Sequence, residues 1–382
     1  MLAAALLFVS LPFAAPAVAD GPKTFDAIAR AADQARQADR LSEAIDLYSK
    51  AVRLRPGWAN GWWWLGSIFY EQDRFSEAET PFRRYIALSS KPAPAYAFLG
   101  LCEYESQNYA AARRHFELWS KAGSPGNDAL LDVASFHWAL LLNQAGQFHE
   151  AFVLLAPKSL KLGATPILIE AIGLASLRMA LLPQDYPPER REAVWLAGMA
   201  AYYCLKKEFA RSDNFAERLL QHYGHEANVH YFRGTLLRVE GKADAAAEEF
   251  HKELEISPGH APALTEWAAS RVEADRPAEA LAPATNAVAL DPESSRAHYI
   301  LGRALFDTGS FQESAHELEI AKRLDPESWR IRFALSNAYK RLGRQQDFKR
   351  EQAAFLSLKD KDNGLAPLEE KHKAPRNTVA PE

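Results

Sequence analysis

Three stretches of the chain read ISPGHAPALTEW (256–267), LDPESSRAHYIL (290–301) and LDPESWRIRFAL (324–335). Their prolines, Pro258, Pro292 and Pro326, stand 34 residues apart, and each follows a polar residue, Ser257, Asp291 or Asp325. Around them the same residue types return in register: Gly234 and Gly302 at one position, Ala246 and Ala280 at a second, Ala287 and Ala321 at a third. A fixed period of this length marks a repeat architecture, in which one supersecondary unit is copied along the chain. The N-terminal part keeps the same register, with Ala44, Tyr48, Ala51 and Pro56, then Trp62, Leu65, Gly66, Ala78 and Phe82, then Tyr96, Leu99, Gly100, Ala112 and Phe116.

Each unit carries two apolar stripes at helical spacing, separated by a turn such as Glu240-Gly241-Lys242 or Thr308-Gly309-Ser310, and so reads as two antiparallel helices. Glycine and alanine stand where helices approach closely. Large residues such as Trp62, Leu65 and Phe82 fill the space between pairs, and proline ends the second helix because it has no backbone donor to continue it. One pair cannot bury its own stripe, so pairs must stack. The pattern resembles the tetratricopeptide repeat, W-x2-L-G-x2-Y, then A-x3-F, then P. That resemblance implies an all-α fold, a right-handed superhelical solenoid of about eight to nine helix pairs with a concave inner face.

Units fit well at 25–58, 59–92, 93–126, 227–260, 261–294 and 295–328, and less well at 132–165 and 191–224, where Ala151 and Ala210 survive but the proline does not. The last, 329–358, keeps Leu335 and Tyr339 in its first helix. Its second carries Gln346, Asp347, Lys349, Arg350 and Glu351, the polar outer surface expected of a cap. Between the weaker units, Pro166 to Leu182 reads as one apolar helix and Pro183 to Pro188 as a loop, so 166–190 is expected to interrupt the array. The domains are therefore an N-terminal array over 20–165, the irregular 166–190, a C-terminal array over 191–358 and a disordered, charge-rich tail over 359–382.

Met1 to Ala19 carries no charge, runs apolar from Leu2 to Val9 and ends in Ala17-Val18-Ala19, the small residues that a signal peptidase reads. The expectation is an export signal and a periplasmic or secreted protein, with no stable membrane insertion after cleavage. The hydrophobic fraction of 48% and charged fraction of 25% suit a folded chain, and a net charge of -4 gives no global pull towards nucleic acid. Cys102 and Cys204 fall in different repeats, too far apart for a disulfide, and read as buried small apolar residues.

No phosphate loop, G-x-S-x-G elbow, H-E-x-x-H or G-x-G-x-x-G occurs, so no catalytic residue, cofactor or metal is assigned. His222, His225 and His230 come nearest to a metal cluster, but no cysteine or carboxylate set completes one. The family resemblance implies instead a groove for a protein or peptide partner, lined from the first helix of each repeat. Carried over position by position, it names Asn60, Trp63, Ser67, Tyr70, Glu71, Leu101, Tyr104 and Glu105 at an aromatic and acidic end. At an aromatic and basic end it names Arg296, Tyr299, Arg303, Phe306, Arg330, Phe333, Asn337, Lys340 and Arg341. The expected role is a non-catalytic scaffold or adaptor of the cell envelope, with Arg303, Lys340 and Arg341 capturing an acidic segment. The alternatives are a carbohydrate-binding accessory that stacks sugars on the groove aromatics, and a self-assembling structural element.

Overall fold

The computed structural model describes residues 24–124, 126 and 128–365. The export signal read at 1–19 lies outside them, as does the tail after Leu365. Among the described residues the regular structure is helical throughout, with nineteen α-helices and no strand. No helix there is long and apolar enough to cross a membrane. The chain divides into two compact units between Leu142 and Asn143.

The first unit stacks the pairs α1 (Phe25–Gln37) with α2 (Leu41–Leu54), α3 (Ala59–Glu71) with α4 (Phe75–Leu88) and α5 (Ala93–Glu105) with α6 (Tyr109–Lys121), and ends in α7 (Asp128–Gln144). Within the second and third pairs the contact is made by the glycine of the first helix and the large ring of the second. A Cβ on Gly66 would lie 2.9 Å from the Phe82 ring, and one on Gly100 equally close to Phe116. Both rings are wholly buried. Each first helix ends on a residue in the left-handed region, Asp39, Asp73 and Gln107, which turns the chain back on itself. The Arg74 N–H then closes the turn on the Phe69 carbonyl at 2.9 Å. Cys102 and Cys204 are both free and buried, and burial raises the Cys102 thiol to about 12.

The second unit begins with α8 (Phe148–Leu162) and α9 (Pro166–Ser176). It continues with the pairs α10 (Arg191–Leu205) and α11 (Phe209–Tyr223), α12 (Val229–Val239) and α13 (Ala243–Ile256), and α14 (Ala261–Glu273) and α15 (Pro277–Leu290). It closes with α16 (Ser295–Asp307) and α17 (Phe311–Leu324), then α18 (Trp329–Arg341) and α19 (Gln345–Leu365). The weakly patterned 191–224 has the geometry of its better-patterned neighbours: Ser212 Oγ donates to the Ala200 carbonyl at 2.9 Å, as Ser314 Oγ does to Gly302 at 2.7 Å.

Three expectations from sequence are corrected. The apolar run from 166 is not one helix to Leu182: α9 stops at Ser176, because Arg178 takes the left-handed turn and the Met179 N–H closes on the Leu174 carbonyl at 2.9 Å. Leu177 and Leu182 fill core space from a loop, and Asn143 Nδ2 holds that loop by the Met179 and Leu181 carbonyls at 2.7 and 3.0 Å. The second correction is Glu351, which does not belong to the polar outer face of α19. It is buried among Lys322, Arg332 and Arg350, at 3.1, 2.8 and 3.2 Å. The third is that α19 continues past Lys359 to Leu365.

No second helix follows α9. A loop and a 3-10 turn at Pro188–Arg190 lead directly into α10, which packs on α9 instead. The crossing is close enough that a Cβ on Gly173 would strike the Val194 carbonyl, and one on Gly198 the Ile169 carbonyl. As 173 pairs with 194 and 169 with 198, the two helices run antiparallel.

The start of α12 is satisfied from outside its own sequence. The buried Glu253 carboxylate accepts the Asn228 N–H at 2.8 Å and the Tyr231 N–H at 3.1 Å. The next first helix, α14, is capped by His260, whose Nδ1 accepts the Ala263 N–H at 3.0 Å while Nε2 donates to Asn228 Oδ1 at 2.9 Å. This arrangement requires a neutral imidazole. Burial, and then the charge of Arg178, lower its pKa from 6.5 to about 4.

Two predictions follow from this packing. Gly198→Ala is expected to destabilise by more than the ~1–3 kcal/mol usual for overpacking, since a backbone carbonyl cannot swing aside as a side chain can. Gly259→Ala, where a Cβ meets nothing within 4 Å, is expected to be nearly neutral. Equilibrium denaturation of the two variants checks the difference. For His260 the unfolded chain takes up its proton from about pH 6.5 downward and the folded chain only near pH 4. Its contribution is therefore complete above pH 6.5 and is lost as pH falls towards 4. His260→Asn, which keeps a capping side chain that does not titrate, is expected to flatten the decline in Tm over that interval.

Candidate functional site

In the second unit, successive turns of α16 and α18 bring together a cavity of about 230 Å³. Tyr299, Arg303, Phe306 and Asp307 enter from α16, Leu318 from α17, and Phe333, Ala334 and Asn337 from α18. Five of these, Tyr299, Arg303, Phe306, Phe333 and Asn337, are residues that the repeat register assigned to the basic end of the groove. Their spacing explains the convergence: residues 299, 303 and 306 share one stripe of α16, and 333 and 337 share one stripe of α18.

The walls are aromatic and the polar groups sit at the edges. The Arg303 guanidinium lies over the Tyr299 ring, 5.8 Å from its centroid, and pairs with no carboxylate among the described residues. Asn337 makes no side-chain hydrogen bond there either. One turn beyond Arg303, Asp307 has its carboxyl raised by burial, with Arg303 acting in the opposite direction. Asp307 is not among the residues that the repeat register assigns to this face. Its position four residues after Arg303 was the available signal. Further along α18, outside the cavity lining, Arg341 stacks on Phe311 at 4.9 Å and Lys340 reaches towards Phe348 at 6.0 Å; both are exposed. Arg330 is exposed beside Trp329.

Arg296 is placed differently. It forms a two-point pair with Glu266 of α14, Nη2 to Oε2 at 2.8 Å and Nε to Oε1, and Arg238 of α12 approaches the same carboxylate at 3.3 Å. Glu266 is buried, yet the guanidinium groups hold its carboxyl below the ordinary range against the effect of burial, and its charge raises Arg296 further. Sequence reading missed Glu266 because its partner arrives 30 residues later.

At the aromatic and acidic end, in the first unit, the same register selects side chains that mostly serve packing. Ser67 is buried and donates to the Trp63 carbonyl at 3.0 Å. Trp63 lies among Phe82, Tyr85 and Phe98 at 5.9, 5.1 and 5.5 Å, and Leu101 is buried. Tyr70 packs on Phe75 and Phe98, and burial raises its phenol to about 12. Tyr104 meets Tyr109 and His137, with Glu105 3.8 Å from the same imidazole. Asn60 and Glu71 are exposed. Of the three histidines weighed for a metal, His230 is joined to Glu249 at 2.6 Å and His222 packs on Tyr223.

A model of the tetratricopeptide repeat family matches residues 29–94 and 265–328. No curated protein sequence matches the chain. Among solved structures, a MamA RS-1 double mutant superposes with a TM-score of 0.40 at 21% identity, over 45% of this chain and 97% of its own. MamA 41-end from Desulfovibrio magneticus RS-1 gives 0.38 at 21%, over 45% and 96%. YrrB, described as a TPR protein with an unusual peptide-binding site, gives 0.38 at 18%, over 44% and 88%. Residues 29–94 and 265–328 thus carry tetratricopeptide repeats, and the helix pairs of both units follow that all-α solenoid fold.

Proposed function

We propose that this protein is a non-catalytic adaptor that holds a partner protein by a short acidic segment, seated on the first helices of its C-terminal repeats. The observation that carries this reading is the cavity between α16 and α18. Three aromatic residues can receive an apolar side chain, and Arg303 and Asn337 at its edge have hydrogen-bonding capacity that the described residues do not use. Lys340 and Arg341 add exposed positive charge further along α18. An apolar anchor flanked by carboxylates would meet complementary chemistry at each point, with charge-assisted bonds supplying specificity. Asp307 adds a donor requirement: the segment should also carry an amide or hydroxyl near its anchor.

The cell envelope is the compartment we propose, because Met1 to Ala19 has the apolar core and small-residue end of an export signal. A carbohydrate reading finds one favourable feature, a cavity of about 340 Å³ beside the 40%-exposed Trp195, with Glu170, Tyr186 and Arg191 on its wall. It lacks a continuous aromatic platform, since Trp63 is engaged in the packing of its own unit.

The test is capture from an extract of the source cells by residues 20–382, beside a variant in which Arg303, Lys340 and Arg341 are all Glu. One protein retained by the parent and lost by the variant is expected. Retention of the same protein by both would remove this cavity from the binding surface. Fractionation of cells expressing the full chain is expected to recover it outside the cytoplasm, with loss of residues 1–19 shifting it to the cytoplasmic fraction.

A further inference from the structure

The irregular segment places a cation on the first helices of the array where the repeat pattern has none. Arg178 follows α9 directly, and because no second helix intervenes, its guanidinium reaches α12. It lies 5.7 Å from the Tyr231 ring centroid and 4.6 Å from that of Phe148 on α8. No carboxylate among the described residues pairs with it. The Tyr231 hydroxyl makes no hydrogen bond there, although its ring is fixed by His260 at 4.9 Å and Phe250 at 5.9 Å.

The remaining charges around that hydroxyl come from α12 itself and from the first helices of the next two repeats. Glu266, Arg178, Arg296 and Arg238 all act on the Tyr231 phenol, which burial raises above its ordinary value. Glu266 is shared between Arg296 and Arg238, so one carboxylate answers two guanidinium groups. The exposed Glu273 acts on Arg296 as well, and His260 is held neutral. Glu253 is committed to the Asn228 and Tyr231 N–H groups and Glu266 to two guanidinium groups, so Arg178 is left as the cation here with no carboxylate of its own among the described residues. The Arg296 side chain remains 45% accessible although its head is fixed, and Arg178 and Tyr231 are half-buried.

We propose that Arg178 and the Tyr231 hydroxyl, backed by Arg238 and Arg296, bind a peptide carboxylate. The site deepens the adaptor reading by giving the partner segment a second anionic contact, before the apolar anchor in the cavity of α16 and α18. Arg296 links the two places, since it lies one helical turn before Tyr299 on α16. The carboxylate accepts the phenolic O–H and the Arg178 N–H groups, a pairing stronger than a neutral one. The Phe148 and Tyr231 rings keep the guanidinium from collapsing onto a distant acid.

The experiment uses three fluorescein-labelled degenerate heptapeptide pools and reads anisotropy. One pool is amidated with a central Glu, one is amidated with a central Gln, and one has neutral side chains and a free C-terminal carboxylate. The parent chain is compared with Arg178→Asn, which suits the left-handed turn, and Tyr231→Phe, which removes only the hydroxyl. A carboxylate-bearing pool is expected to bind the parent about tenfold more tightly than the Gln pool, and each variant to lose most of that preference. Preference for the Glu pool assigns a side-chain carboxylate, and preference for the free-ended pool a C-terminus. Equal affinity for all pools, or a preference unchanged in both variants, overturns the site. If the preference survives Arg178→Asn and Tyr231→Phe but falls with the Arg303, Lys340 and Arg341 variant, the cavity reading stands without this one. The reverse leaves this site standing and removes the cavity. Binding of no pool to the parent overturns both.

Discussion

In four helix pairs among the described residues, a glycine on the first helix faces a large apolar side chain on the second. Gly66 receives Phe82, Gly100 receives Phe116, Gly234 receives Phe250 and Gly302 receives Leu318. The contact fixes both the distance between the two helices and their rotation, because a ring seated against bare backbone admits one orientation. The remaining stripe of each pair is then turned towards the next pair, and stacking is the only way to bury it. The groove depends on the same constraint. Once Gly302 is seated against Leu318, Tyr299, Arg303 and Phe306, spaced four and three apart on the same helix, occupy one surface together.

This also explains how far the structure could be read from the chain alone. A small residue and a large apolar one sixteen positions on, with proline closing most of the well-patterned units, is a one-dimensional signal, and it located the pairs and five residues of the cavity. What escaped depends on partners that no local pattern announces. Glu351 has the sequence neighbours of a surface helix, yet three cations from α17, α18 and its own helix make it interior. Glu266 sits in a first helix among alanines and is fixed by arginines on the helices before and after it. The end of α9 was concealed for another reason. Most turns between paired helices of the second unit use glycine, but here Arg178 adopts the left-handed conformation in the middle of an apolar run. The sequence therefore continues to look helical where the backbone has already reversed.

The missing second helix has a structural substitute and a geometric consequence. Leu182 and Tyr186 occupy core space from the loop, and Tyr186 donates its hydroxyl to Glu170 of α9, so the apolar face of α9 is not left open. The two glycines at 173 and 198 then let α9 and α10 approach closely enough for one to serve as the other's packing partner. Successive first helices in an array run parallel, because an antiparallel helix lies between them. Here one such helix is absent, and α10 runs antiparallel to α9. The end of α9 is thereby delivered beside the start of α10, and from there it reaches the start of α12.

Charge on the first helices is consequently unequal along the second unit. Where the repeat is regular, a cation on one first helix finds a carboxylate on the one before it, as Arg296 finds Glu266. That exchange needs a constant step between neighbours, and it lapses in two places. At the end of the array, Arg303, Lys340 and Arg341 rest on rings without an acid within pairing distance among the described residues. At the interruption, Arg178 comes from a helix that is out of step with α12, and it too rests on rings. A guanidinium against an aromatic face keeps its donors directed outward, whereas one in a two-point salt bridge has committed them. Arg178, Arg303, Lys340 and Arg341, held on rings and not in ion pairs among the described residues, therefore lie where the repeat geometry stops or breaks.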